Sequence, residues 1–194
     1  QPYIGAWNLA RFAETLLPLL HPNQDVALAM AEEAIEEFPE LYHQYWLSGM
    51  RAKLGLSNEE EQDEALVKEL LQMMEKHRAD YTNTFRALTM NELDQIALFK
   101  TDEFKQWHET WRQRLERQPG FEESAKHLMQ QNNPSVIPRN WRVEEALEAA
   151  DNGDFSVMQR LLDVLSDPYA YSSEQEPFAQ VKEMGENYRT FCGT

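Results

Sequence analysis

Phe104-Lys105-Gln106-Trp107-His108-Glu109-Thr110-Trp111-Arg112-Gln113-Arg114-Leu115 sets five large side chains on one stripe: Phe104, Trp107, His108, Trp111 and Leu115. Their spacing of three or four residues is that of one face of an α-helix, whereas a strand would alternate every second residue. The stripe stops before Pro119, which disfavours helix in the residue ahead of it. A tryptophan stripe at this spacing reads as core, and His108 beside Trp107 reads as a hydrogen-bonded packing histidine.

The same periodicity extends in both directions. Ile4, Trp7, Phe12, Leu16 and Leu20 mark a helix over Tyr3 to Leu20, broken by His21-Pro22-Asn23. A helical pattern from about Asp25 to Lys53 contains Pro39, which should kink or split it, and Gly55 is a candidate C-terminal cap. Asn58 with Glu61, and Thr89 with Glu92, read as capping boxes. The helix after the first is expected to bury Leu66, Leu70, Met73 or Met74, and His77. Helices are further expected over Ala79 to Leu88, over Phe121 to Gln131, and from Arg139-Asn140-Trp141 with Val143, Ala146, Leu147 and Ala150 on one face. Gly153 should end that helix. Asp154 should cap the last one, which carries Phe155, Met158, Leu161, Leu162 and Leu165. Beyond Asp167-Pro168 the chain turns polar and irregular. The expected organisation is a helical domain over 1–165 and an irregular tail over 166–194 that ends in a thiol.

Composition agrees with an all-α class. Glycine is scarce, with seven in 194 residues, β-branched residues are few, and strong helix formers dominate. The formal net charge of -16 argues against nucleic acid and against anionic membrane surfaces as partners. No apolar run approaches the ~20 residues of a membrane span. The chain opens at Gln1-Pro2 without Met or a signal peptide, and enters a helical pattern at once, which reads as a piece cut from a longer protein. Cys192 is the single cysteine, so no disulfide closes within the chain; a cytosolic setting follows.

Residues for chemistry are few. There is no Gly-x-Gly and no Gly-Lys-Ser/Thr to cradle a phosphate. His77 with Asp80, Glu123 with His127, and the run Glu32, Glu33, Glu36 and Glu37 have metal-ligand spacing, but none has a matching motif on a second helix, so they read as surface groups. The acidic run from Asn58 to Glu64 reads as a solvated helix start. No nucleophile, base and orienter can be assembled. Cys192 is either an incidental thiol or a redox group whose partner lies outside the chain.

Several segments, taken in order, are similar to one known family: Gln1-Pro2-Tyr3-Ile4-Gly5-Ala6-Trp7-Asn8-Leu9, Met50-Arg51-Ala52-Lys53-Leu54-Gly55, Asp80-Tyr81-Thr82-Asn83-Thr84-Phe85-Arg86, and Asn133-Pro134-Ser135-Val136-Ile137-Pro138-Arg139-Asn140-Trp141, followed by Glu145 to Ala150 and Gly153-Asp154. Together they resemble the C-terminal portion of the selenoprotein O family, also called the YdiU family. The resemblance implies a protein-kinase-like (pseudokinase) fold. It also implies an activity that transfers AMP from ATP to protein hydroxyls, with Mg²⁺.

The family's nucleotide- and magnesium-holding residues all precede the Gln-Pro…Trp-Asn-Leu segment, so none maps onto a position here. This chain is then expected to be structural and inactive alone, with the N-terminal catalytic region of the same bacterial, cytoplasmic protein as its partner. The resemblance assigns one residue a role. Cys192 holds the family's Cys or selenocysteine position, third from the end, which implies a disulfide to a cysteine upstream of Gln1. The family's second tail cysteine is missing here. Cutting away the catalytic region should bare an apolar face on the first helix, around Trp7 and Phe12, and lead to self-association. Two competing readings are a free-standing acidic interaction module for a basic partner and a metal-carboxylate bundle.

Overall fold

A computed structural model describes residues 2–181; Cys192 lies outside them. The described chain is helical and without a strand: α1 (Pro2–Leu20), α2 (Gln24–Glu36), α3 (Phe38–Lys53), α4 (Asp63–Lys76), α5 (Tyr81–Met90), a 3₁₀ turn (Ala97–Lys100), α6 (Asp102–Glu116), α7 (Phe121–Asn132), α8 (Asn140–Asp151), α9 (Ser156–Leu165) and α10 (Glu176–Ala179). The sequence reading placed a boundary only at 165/166. The structure adds one, dividing into compact units between Met50 and Arg51.

In the first unit, the break after α1 ends in Asn23, whose side chain accepts hydrogen bonds from the backbone N–H of Asp25 (2.9 Å) and Val26 (3.3 Å) and so caps α2. Pro39 splits the predicted long helix. It sits in the first turn of α3, where its missing N–H has no partner to lose. Burial in this unit is slight: among its described residues only Ala27, Ala31 and Met50 are buried. α1 buries none of its residues.

The second unit opens on the end of α3. Leu56 N–H donates to Arg51 O (2.9 Å) and Gly55 N–H to Ala52 O (3.1 Å), with Gly55 at φ +74°. This is the left-handed cap expected of Gly55. A Cβ at that position would stand 3.0 Å from both Cβ and O of Ala125 on α7, so the glycine also allows a close helix approach. α4 packs on α6. Leu66, Val67, Leu70, Met73 and Met74 are buried on α4, and Phe104, Trp107, Trp111 and Leu115 on α6. Both tryptophans keep their polar atom satisfied: Trp107 Nε1 donates to Leu66 O (2.8 Å) and Trp111 Nε1 to Leu54 O (2.9 Å). The stripe expected on α6 is core. His108 packs its ring against Phe104 and Trp111, and its half-buried imidazole is held below its ordinary pKa chiefly by burial.

A second core cluster joins Val136, Ala146, Leu161, Phe178 and Ala179. Gly153 (φ +85°) ends α8, and Asp154 accepts from Ser156 N–H (2.9 Å) to start α9, as expected. Four details differ from the sequence reading. Neither capping box forms: Asn58 Oδ1 accepts from Arg114 instead, and Thr89 lies inside α5, donating to Phe85 O. His77 is exposed at the end of α4, hydrogen-bonded to Glu103. Leu147, Phe155 and Leu162 face solvent, since α8 and α9 need only one narrow stripe each for a small core. Finally, 166–181 is not wholly irregular, because α10 buries Phe178 and Ala179.

Candidate functional site

Three of the segments singled out in the sequence, those holding Lys53, Asp80 to Asn83, and Asn133 to Arg139, meet in a polar junction of the second unit. Asn133, fully buried, is its hub. Its side-chain amide donates to Lys53 O (2.8 Å) and to Thr89 Oγ1 (3.0 Å), and its carbonyl accepts from Tyr171 OH (2.7 Å). Lys53 Nζ donates to Asn132 O (2.8 Å) and lies 5.9 Å and 5.5 Å from the ring centres of Tyr81 and Phe85. Burial lowers the pKa of this ammonium, and burial raises that of the Tyr171 phenol. The end of α3 is thereby tied to the loop after α7 through buried groups, where each bond is stronger than it would be in water.

A second knot lies at the start of α5. Asp80 accepts from Asn83 N–H (2.9 Å), capping the helix, and takes a two-pronged ion pair from Arg139 (Nη1 to Oδ2 and Nη2 to Oδ1, both 2.7 Å). Burial pushes the Asp80 carboxyl up, but Arg139 and the Asn83 N–H outweigh it and the net direction is down. Asn83 Nδ2 continues to Ala179 O on α10 (2.9 Å). Arg142 also holds this helix: Nη2 donates to Pro177 O (2.9 Å), and its guanidinium stands 4.1 Å and 5.0 Å from the rings of Trp141 and Phe178.

The third knot is the deepest. Asp63 has no exposed surface. Its Oδ1 accepts from Arg114 Nε (2.7 Å), and its Oδ2 from Arg51 Nε (2.8 Å), Arg114 Nη2 (3.2 Å) and Glu60 N–H (2.8 Å). Burial alone would raise its pKa; the hydrogen bonds from Arg114, Glu60 and Arg51 and the charge of Arg114 outweigh burial and lower it. Arg114 also donates to the side chain (3.0 Å) and carbonyl (2.9 Å) of Asn58. A charged pair this buried is sustainable because its remaining donors and acceptors are satisfied.

Beside the second knot, between α5 and α10, opens a polar groove of about 290 Å³, lined by Asn83, Arg86, Glu92, Gln95, Glu176 and Gln180 among others. Arg86 Nη1 faces Glu92 Oε2 at 3.6 Å, too long for a hydrogen bond.

The sequence candidates for metal are not brought together. Asp80 is taken by Arg139, His77 by Glu103, and His127 by Gln131 (3.0 Å). Glu32, Glu33, Glu36 and Glu37 are exposed on and just after α2. No group of three or more metal-ligating side chains occurs among the described residues. Cys192, the predicted redox residue, lies outside the described residues. Sequence reasoning missed the pairings of Asp63 with Arg114 and of Asp80 with Arg139, which span 51 and 59 positions. The only signal was that Arg51, Lys53, Asp80, Asn83, Asn133 and Arg139 all fall in the motif segments.

The junction's cations are engaged by protein groups. Arg51, Arg114 and Arg139 are held by carboxylates, and Lys53 by carbonyls and rings. No helix among the described residues is long and apolar enough to cross a membrane.

Comparison with known proteins adds the rest. A family model described as "Protein adenylyltransferase SelO" matches residues 1–166. The chain is 61 % identical over 196 aligned positions to a protein of Brevibacillus brevis named "Protein nucleotidyltransferase YdiU", 60 % to one of that name from Alkaliphilus metalliredigens, and 58 % to one from Geobacillus kaustophilus. In each case all of this chain is covered, and it spans 40 % of the relative's length. A match of this extent and identity, over the segments that form the junction, shows that the chain belongs to the selenoprotein O (YdiU) family.

Proposed function

We propose that these residues form the C-terminal helical region of a protein adenylyltransferase, with a protein-kinase-like fold in the whole protein, that moves AMP from ATP to Ser, Thr or Tyr hydroxyls of other proteins in the bacterial cytosol. The family match over residues 1–166 carries this reading. The chain's own role is structural and redox-regulatory. The junction fixes α3, α5, α7 and α10 against one another, and Cys192 provides a thiol to pair with a cysteine elsewhere in the protein. ATP and Mg²⁺ belong to the remainder of the polypeptide, which is also this region's principal partner. Phosphoryl-type chemistry needs cations aimed at the phosphates, and the cations of the junction are committed to protein partners.

The test is to incubate the full-length protein with Mg²⁺ and ATP labelled on the α-phosphate. Label should appear on protein hydroxyls, and the 194-residue chain alone should neither transfer label nor bind ATP·Mg²⁺. A folded full-length protein that transfers nothing, or strong ATP·Mg²⁺ binding by the chain alone, overturns the proposal.

A further inference from the structure

The helix α5 ends at Met90, where Asn91 turns the chain in the left-handed conformation (φ +57°) and Glu92 N–H donates back to Ala87 O (2.9 Å). That cap folds Glu92 back toward Arg86, one turn earlier on the helix, and both line the groove between α5 and α10. We propose that this groove binds a free α-amino acid, with its carboxylate on Arg86 and its ammonium on Glu92. The site lies wholly in the second unit and is separate from the proposed AMP transfer.

Arg86 differs from the other sheltered arginines of the described residues. Arg51, Arg114, Arg139 and Arg142 each donate to an oxygen at 2.7–2.9 Å. The Arg86 side chain is only 14 % exposed, yet its Nη1 stops 3.6 Å from Glu92 Oε2. Arg86 Nε and Glu92 Oε2 are both buried without a hydrogen-bond partner. A guanidinium has five donors, and sheltered polar groups are normally satisfied. Here a cation and an anion stand side by side, and each has bonding capacity to spare.

The charges of the groove select the ligand. Its wall carries one cation, Arg86, and two carboxylates, Glu92 and Glu176. Phosphate or a polyanion would meet more negative charge than positive. A simple cation would leave the guanidinium donors unfilled. An α-amino acid carries its ammonium and carboxylate on one carbon, so its two charges sit side by side as those of Arg86 and Glu92 do. Its carboxylate suits the two-pronged fork of an arginine. Ala87, Ile96 and Ala179 add apolar wall, and about 290 Å³ is at the small end of ligand sites.

Thermal unfolding of the full-length protein with each of the common L-amino acids at millimolar concentration finds the ligand, because a bound ligand raises Tm. Calorimetric titration then measures its affinity. The N-acetyl and methyl ester forms of that amino acid each lack one charge and should bind at least about tenfold more weakly. Arg86→Gln and Glu92→Gln should each weaken binding by at least about tenfold, with Arg86→Lys, which keeps the charge and loses the fork, in between. Should Arg86→Gln fail to fold, the two blocked ligands on the unaltered protein still decide the matter. The proposal is overturned if no amino acid binds, or if the variants bind as tightly as the parent. Equal binding of a form blocked at both ends also overturns it, in favour of a peptide main chain, and so does equal binding of inorganic phosphate, in favour of a plain anion site.

Discussion

Residues 2–50 and 51–181 draw on the same helix-rich composition and bury it very differently. The first region hides two alanines and a methionine while Tyr3, Trp7, Phe12, Leu19 and Tyr45 face outward. The second hides Phe85, Phe104, Trp107 and Trp111, and closes an ion pair over Asp63 with no surface exposed. Helical periodicity is equally clear in both. The difference teaches that periodicity reports which face is apolar and leaves open what covers it. In the second region the cover comes from elsewhere in the same 194 residues, through contacts such as Trp111 to Leu54 and Arg114 to Asp63. Within the first, Tyr3, Trp7 and Phe12 stay uncovered.

If the second region is self-sufficient, the loss of an internal tie should be felt there at full size. The largest effect is expected for Asp63→Ala, which leaves Arg114 and Arg51 facing an empty site. Removing one partner of a buried pair costs about 3–5 kcal/mol. Urea unfolding followed by tryptophan fluorescence would measure it, and a loss below about 1 kcal/mol would show that the tie is weak and the contrast between regions overstated.

Protonating the same carboxylate should act in the same direction by less, since the neutral acid still occupies the site. Asp63 and Asp80 both have pKa values lowered by folding. Their contribution is therefore fully present above the unfolded carboxylate value of about 3.9, and is lost as pH falls through the lower native values. Stability of the second region should fall slightly below about pH 6.5, where the unfolded His108 takes up a proton that burial keeps off the native ring, and more steeply below about pH 4. A flat profile down to pH 2 would contradict the assigned pairs.

The smallest of the three is Gly55→Ala. The left-handed backbone costs about 1–2 kcal/mol for a residue with a Cβ, and Ala125 must move to admit it. A neutral result would mean that the turn at Gly55 does not press on Ala125 of α7.

Much of this was open to sequence reading. The helix stripe from Phe104 to Leu115, the split at Pro39, and the caps at Gly55, Gly153 and Asp154 follow from local spacing and backbone preference. The failures share a cause: a second partner competed for the group and won. Asn58 has the chemistry of a helix cap, yet Arg114 claims its oxygen. Thr89 resembles a cap residue, yet it bonds back to Phe85 within α5 and accepts from Asn133. His77 sits in phase with the buried stripe of α4 and finds Glu103 at the surface instead. For the junction, sequence supplied the participants and left out the pairing, because nothing in a linear string says that position 80 meets position 139.

The clasp on α10 has a geometric corollary. Asn83 grips Ala179 and Arg142 grips Pro177, so the backbone is held at a fixed spot close to Val181. Ten residues, and so eleven Cα-to-Cα steps, separate Val181 from Cys192. Fully drawn out, such a leash spans no more than about 40 Å, so any sulfur that Cys192 can bond with in its own molecule must fall inside that radius.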